Sequence, residues 1–499
     1  MQSDRIKFQS YKDKVITAQE AALFFKDKMT VGTSGFTKAG DSKAVLPAFA
    51  ERAKFENIAI TLITGASLGQ TTDTDLANNN ALYKRMPFQS DAALRKKIND
   101  GEILYIDQHL SETAEMLENK HLPKIDIAVI EATYIDENGN IIPTTSVGNS
   151  PTFAHLADKI IIEINTSIPL GFKGIHDVYI SENYPNRQIL NVTASNDRIG
   201  QDYIAIDSKK VVGIVFTEIL DSPAQPTEID VKTAAIAGHL LGFLENEITA
   251  GRLTNSLMPL QAGIGKVANA VMSGFAKSSF ENLVMYSEVL QDSTFELIDS
   301  GKMNFASASS ITVSENCYKK ILANFDFYKD KMLLRPQTIS NSAEVIRRLG
   351  VIAINTAIEF DIYGNVNSTH IAGTKMMNGI GGSGDFARNA YLSIFVTQSS
   401  SKEGNAVSHV LPMVSHVDHT EHDVDVLITE QGVADLRGLA PRERAKVIIE
   451  NCVHPEYKEE LSDYFNRSKL RGGHTPHLLE EAFKFHLRFL ETGSMKKML

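Results

Sequence analysis

The chain has 499 residues, 43% hydrophobic and 22% charged, which fits a globular protein of two to four domains. Its net charge of −11 argues against nucleic acid as the main partner, because phosphate binding needs a basic surface. The two cysteines, Cys317 and Cys452, are far apart and leave no disulfide framework and no CxxC pair, as a reducing compartment allows.

The N-terminal stretch "MQSDRIKFQSYKDK" is charged from Asp4 on and lacks an apolar h-region, so no signal peptide is expected. No later apolar run approaches the length of a membrane span, and a cytoplasmic protein without membrane contact is expected. Along the chain, β-rich runs follow at "IAITLIT" (58–64), "IDIAVI" (125–130), "KIIIEI" (159–164), "GVIAIN" (350–355) and "DVDVLIT" (423–429). They alternate with helical stretches such as "VKTAAIAGHLLGFLENEI" (231–248). That alternation predicts α/β architecture with mostly parallel sheets.

An internal repeat organises these elements. "FENIAITLI" from Phe55 matches "FENLVMYSE" from Phe280, at an offset of 225. At the same offset "AVIEATYIDENGNI" from Ala128 matches "AINTAIEFDIYGNV" from Ala353, pairing Asp136 with Asp361, Gly139 with Gly364 and Asn140 with Asn365. After an insertion of about eight residues, roughly two helical turns, "GNSPTFA" from Gly148 faces "GGSGDFA" from Gly381. Two related open α/β domains are therefore expected, 1–225 and 226–499, joined near "LDSPAQPTEID" (220–230). The D-x-x-G-N segments read as tight turns in which Gly supplies positive φ.

The repeat isolates Glu288. Residues 282–286 read as a buried strand, yet the run leads to a glutamate where the other copy keeps Ile63. A carboxylate is already ionised at neutral pH and can attack without an activating base. On an acyl thioester it would give a mixed anhydride and a free thiolate, and the thiolate could return to leave a glutamyl thioester. That route needs an oxyanion hole, a place for an anionic thiol carrier and exclusion of water.

Two glycine-rich loops could supply such parts. "LQAGIGKVANAV" carries a Gly-x-Gly turn at Gly263 and Gly265 opening a helix, with Lys266 adding charge, although no clear strand precedes it. "MMNGIGGSGDFARNA" puts Gly379, Gly381, Gly382 and Gly384 within six positions, where backbone N–H groups can approach a ligand closely. Other chemistries are poorly supported. There is no GxxxxGK[ST] loop, and the glycine spacing in "VGTSGF" and "GGSGDF" is wrong for a nucleophile elbow. His416, His419 and His422 recur every three residues but lack the HExxH pattern or a cysteine partner, so no metal is expected.

Nearly the whole chain resembles the class I coenzyme A transferases, in the acetyl-CoA hydrolase/transferase branch. The motifs include "VGTSGFT", "PTTSVGNS", "GIGKVANAV", "YSEVLQD", "DIYGNVNST", "KMMNGIGGSGDFAR", "PMVSHVDH" and "TEQGVADLRGL". The resemblance implies two α/β domains with the active site and CoA site at their interface. It implies transfer of CoA between a short-chain acyl-CoA and a free acid, with acyl-CoA hydrolysis as the alternative. CoA would be substrate and covalent intermediate, no prosthetic group would be needed, and a homodimer is implied.

By the same resemblance Glu288 is the nucleophile, while Glu182 in "ISENYP" and Glu315 in "VSENCY" are structural. Gly263, Ile264, Gly265, Lys266 and Val267 match a CoA-binding turn, and Ile358, Asn378, Gly382 and Lys402 match further CoA contacts. Gly382 also matches an oxyanion-hole N–H, and Asn341 and Glu430 match polar groups near the acyl and carboxylate pocket. "VFTEILDSP" (215–223) lacks the arginine that acetate-using relatives place there, which leaves the acceptor acid open among acetate, propionate and succinate.

Overall fold

Apolar runs bounded by turns become short, buried parallel strands in the computed structural model, which describes residues 3–182, 184–225 and 229–497. Residues 226–228, inside the expected junction, and the side chain of Lys266 lie outside the described set. Two compact units interleave in sequence. The first holds Met1–Pro226, Met285–Phe295 and Asn304–Leu349, and the second Thr227–Val284, Glu296–Met303 and Gly350–Leu499. The segment around Glu288 thus falls in the first unit, whereas the expected division was 1–225 and 226–499.

The first unit is built on a seven-stranded sheet in the order Leu104–Tyr105, Leu82–Met86, Ile60–Ile63, Thr30–Thr33, Ile127–Ala132, Lys159–Asn165 and Val211–Thr217. Its pairings are parallel, as buried, near-continuous apolar strands require. One face buries Val31, Leu62, Val129, Ile161 and Val215 against Phe25, Leu46 and Phe49. Glu163 leaves the strand Lys159–Asn165 as a fully buried carboxylate, yet it is well satisfied. It accepts the N–H groups of Lys43 (2.6 Å), Ala44 (2.9 Å) and Val45 (3.1 Å) at the start of the helix Val45–Ala53. An anion is favoured at that positive helix end.

In the second unit the strands Leu260–Ala262, Ile352–Thr356, Leu392–Val396 and Val426–Thr429 pair in parallel, and Gly432–Asp435 closes the run antiparallel. The register repeats that of the first unit: Gly32 pairs with Ala128 as Gln261 pairs with Ala353. The two D-x-x-G-N turns are also alike. Asp136 Oδ1 accepts from the backbone of Asn138 and Asn140, and Asp361 Oδ1 from that of Tyr363 and Asn365, while Gly139 and Gly364 take φ of 85° and 97°. The long helix Val231–Thr249 forms with Asp230 as its N-cap, its side chain accepting from Thr233 N–H.

One sequence expectation is corrected. A strand, Leu260–Ala262, does precede the Gly263–Gly265 turn. It is three residues long and carries Gln261 at its centre, so no apolar alternation marks it. Gln261 is tolerated in the core because both ends of its amide are bonded, Nε2 to Asn355 Oδ1 at 3.1 Å and Oε1 to Ile354 N–H at 3.2 Å.

Candidate active site

Glu288 follows the strand Leu283–Tyr286 after one buried residue, Ser287. The chain then resumes as Val289–Leu290, which pairs in parallel with Ser310–Ile311. The Glu288 carbonyl accepts from Ser309 N–H (2.8 Å) and Ser310 N–H (3.2 Å), and Ser287 N–H donates to Ser307 (2.9 Å). Val289 is buried among Phe36, Ala66 and Leu110, worth about 1.5–3 kcal/mol for such a side chain. The backbone at the glutamate is therefore fixed from both sides, and its side chain is left partly exposed.

That side chain is oriented by Asn341, a fully buried residue capping the short helix Gln337–Ser340. Asn341 Nδ2 donates to Glu288 Oε1 at 2.8 Å. The carboxylate can only accept, which assigns the amide with its N–H side toward Glu288 and leaves Oδ1 to accept from Ser340 Oγ at 2.8 Å. Beneath this lies the buried Arg335, whose Nε donates to Ser307 Oγ at 2.8 Å and whose guanidinium pairs with the buried Asp177. Ser309 Oγ donates to the Arg335 backbone carbonyl at 2.8 Å, so Arg335 meets the segment beside Glu288 twice, through its guanidinium at Ser307 and through its backbone at Ser309.

The other expected residues lie in the second unit. Gly263 follows the strand Leu260–Ala262, and Gly265, at φ 125°, precedes the helix Lys266–Lys277. A Cβ at Gly265 would meet no atom within 4 Å, so its glycine is explained by backbone conformation. Ile264 is half exposed and Val267 buried. Ile358 N–H donates to the Asn367 carbonyl at 2.9 Å. Asn378 Nδ2 donates to the carbonyls of Ser368 (3.2 Å) and Gly379 (2.9 Å).

Gly382, itself buried, is the N-cap of the helix Ser383–Asn389. Lys402 is exposed, with its ammonium 4.1 Å above the Phe489 ring. Burial pushes the Glu430 carboxyl upward, but hydrogen bonds from Ser399 N–H and Oγ, both 2.7 Å, and nearby Lys232 outweigh it and hold the group below its usual range.

Glu182 is exposed, and Glu315 pairs with Lys319 on a helix surface. Neither has a buried amide of the Asn341 kind bonded to it among the hydrogen bonds seen. The three histidines diverge: His416 Nε2 is 3.2 Å from Asp418, His419 reaches Ser383, and His422 sits in the turn Glu421–Asp423. Among the described residues no cluster of His, Cys, Asp or Glu is arranged to hold a metal ion.

Sequence reasoning missed several polar residues in the first unit. Asn149 is buried with both amide atoms unpartnered among the described residues, and Gln337, which opens the helix that Asn341 caps, has its Oε1 likewise unpartnered. A signal existed for Asn149, which matches Gly382 in the repeat and, like it, precedes a seven-residue helix.

The chain matches the family models of the acetyl-CoA hydrolase/transferase N-terminal domain over residues 1–216 and C-terminal domain over residues 318–465. It is 49% identical to the succinyl-CoA:acetate CoA-transferase of Clostridium kluyveri, over 99% of this chain and 92% of that one. It is 45% identical to an acetyl-CoA hydrolase of Schizosaccharomyces pombe, over 99% of this chain and 98% of that one. The fold is shared with RipA from Yersinia pestis, with a TM-score of 0.72 at 21% identity over 92% of this chain and 98% of that one. The chain belongs to the acetyl-CoA hydrolase/transferase family.

Proposed function

We propose that the protein is a CoA-transferase that moves CoA between a short-chain acyl-CoA (acetyl, propionyl or succinyl) and a free carboxylate such as acetate or succinate. The observation that carries this reading is the Asn341–Glu288 contact, a partly exposed carboxylate held on a rigid turn by a buried amide donor. The sequence similarity to a succinyl-CoA:acetate CoA-transferase supports the substrate class.

Glu288 attacks the thioester carbonyl through the oxygen that Asn341 does not hold. The C–S bond breaks, giving a mixed anhydride and the CoA thiolate. The thiolate then attacks the glutamyl carbonyl, the first acid leaves as carboxylate, and a glutamyl-CoA thioester remains. An incoming carboxylate reverses the sequence. In the anhydride the Glu288 oxygen held by Asn341 becomes the carbonyl oxygen, so the amide polarises the carbon that the thiolate must reach. Gly382 N–H is assigned to the acyl oxyanion, and Gly263–Val267, Ile358, Asn378 and Lys402 to CoA. We read the protein as a cytoplasmic homodimer, which sedimentation would test.

Intact-protein mass after incubation with acetyl-CoA or succinyl-CoA tests the route. A CoA adduct is expected in wild type and not in Glu288→Ala. An acetyl-CoA hydrolase among the relatives gives the second reading. Steady CoA release without an acceptor acid, and without an adduct, would establish hydrolysis instead.

A further inference from the structure

We propose that His419 is a positioning residue for the glycine-rich loop that ends in Gly382, an inference that rests on the oxyanion role assigned to Gly382 above. His419 belongs to "PMVSHVDH" and is buried, its ring centroid 4.6 Å from that of Phe395. Its backbone is paired with Val366, the Val366 N–H donating to the His419 carbonyl at 2.8 Å. The imidazole thus stands on a strand edge that the loop does not share.

From there Nε2 lies 3.0 Å from Ser383 Oγ and 3.3 Å from Ser368 Oγ. The direction of these bonds follows from the serines. Ser383 Oγ–H donates to the Ile380 carbonyl at 2.8 Å, and Ser368 Oγ–H is within 3.3 Å of Asp418 Oδ2. A hydroxyl has one proton, and Ser383 spends its own on the Ile380 carbonyl. His419 therefore donates from Nε2–H to Ser383, and the same proton is shared with the longer contact to Ser368, so one ring nitrogen joins the two serines as a clamp.

The clamp acts on both ends of the loop. Ser383 is the first residue of the helix that Gly382 caps. The Ser368–Thr369 turn holds the loop's start, since Met377 N–H donates to the Thr369 carbonyl at 2.8 Å and Asn378 Nδ2 to that of Ser368 at 3.2 Å. Four glycines between 379 and 384 give this loop wide conformational freedom. Without a fixed end the Gly382 N–H would sample directions away from one acyl oxygen, and a misplacement of about 1 Å costs on the order of 10²-fold in rate.

The test separates the donor from the ring. His419→Phe keeps an aromatic ring against Phe395 and removes the donor, while His419→Gln keeps an N–H donor and removes the ring. Adduct formation on Glu288 from acetyl-CoA is expected to slow about tenfold to a hundredfold in His419→Phe, with the KM for acetyl-CoA little changed. His419→Gln is expected to recover most of the loss. Amide exchange across residues 379–387 should quicken in the Phe variant alone.

The reverse order, with Gln impaired and Phe active, would overturn the proposal in favour of simple packing. Unchanged exchange in His419→Phe would overturn the anchoring itself. Should His419→Phe not fold, Ser383→Ala leaves the buried ring in place and must show the same slowing. A wild type that forms no adduct overturns the transferase reading, and the exchange result then decides the anchoring separately.

Discussion

Asn341 and Glu288 are 53 residues apart in sequence and 2.8 Å apart in the structure, amide nitrogen to carboxylate oxygen. The contact fixes which Glu288 oxygen faces the buried amide. It also predicts that Asn341→Ala slows adduct formation on the order of 10²-fold, the usual cost of one well-placed donor, without weakening CoA binding. Asn341→Asp should be distinguishable from it by pH. Two carboxylates at this distance cannot both ionise easily, so the Glu288 pKa rises. Because Glu288 must be ionised to attack, the rate of the Asp variant should climb with pH more steeply than that of the wild type. Single-turnover rates from pH 5 to 8 would show it.

Lys43 is a second relationship that spans the first unit. Its ammonium is fully buried, 2.7 Å from Glu131, 2.8 Å from Asp221 and 3.5 Å from Asp41. Burial disfavours the ammonium, but the three carboxylates outweigh burial and hold it well above the usual lysine range. Burial likewise raises Glu131 and Asp41, against the pull of Lys43. Removing the cation leaves buried carboxylates unpaired, which typically costs about 3–5 kcal/mol. Lys43→Met should lower the urea midpoint accordingly. Glu131→Gln, which keeps an acceptor for Lys43, should cost less, and an equal loss would mean the charge balance is not what holds the cluster.

The local half of this architecture was legible in the sequence. The D-x-x-G-N turns, the helix Val231–Thr249 and the strand ending at Tyr286 follow from glycine placement and periodicity, which act over a few residues. Glu288 stood out because the repeat offered an apolar residue in its place. The buried long-range ion pairs were not legible. Lys43 sits in "GDSKAV" and finds Glu131 88 residues away, and Arg335 reaches Asp177 across 158 residues. No periodicity encodes such a pairing; it exists only once the sheet has brought the strands together. Leu260–Ala262 escaped for the opposite reason, being too short for a pattern. The contact of Lys402, a CoA contact by resemblance, with the Phe489 ring is likewise one that no motif announces.

His176 gives a stability prediction with a definite sign. It is fully buried, and burial lowers its pKa from 6.5 to about 4, against the opposing bond from Nε2 to the Thr144 carbonyl at 2.8 Å. The folded chain keeps the ring neutral while the unfolded chain protonates it near 6.5. Stability from this group is present above that pH and is lost as pH falls toward about 4, a total of about 3 kcal/mol. His176→Gln keeps an N–H donor and removes the titration. The wild-type stability should therefore fall relative to the variant between pH 6.5 and 4, as read from urea midpoints. A constant difference across that range would mean the ring is not held neutral.

Arg335 tests whether the rigidity beneath Glu288 matters to chemistry as well as to folding. Its guanidinium uses separate nitrogens for Ser307 Oγ, Asp177 and the carbonyls of Ser195 and Asp197. Arg335→Lys keeps the charge but offers one compact ammonium, which cannot span those directions. At least one charged hydrogen bond is lost in a buried site, and stability should drop by about 2 kcal/mol or more. The sharper expectation is kinetic. Ser307 takes the guanidinium bond on its Oγ and the N–H of Ser287, the neighbour of Glu288, on its carbonyl, so loosening it lets the carboxylate wander from its attacking position. Adduct formation in Arg335→Lys should slow at temperatures where the variant is still fully folded, while CoA binding persists. A variant that loses stability and loads CoA at the wild-type rate would confine Arg335 to the fold.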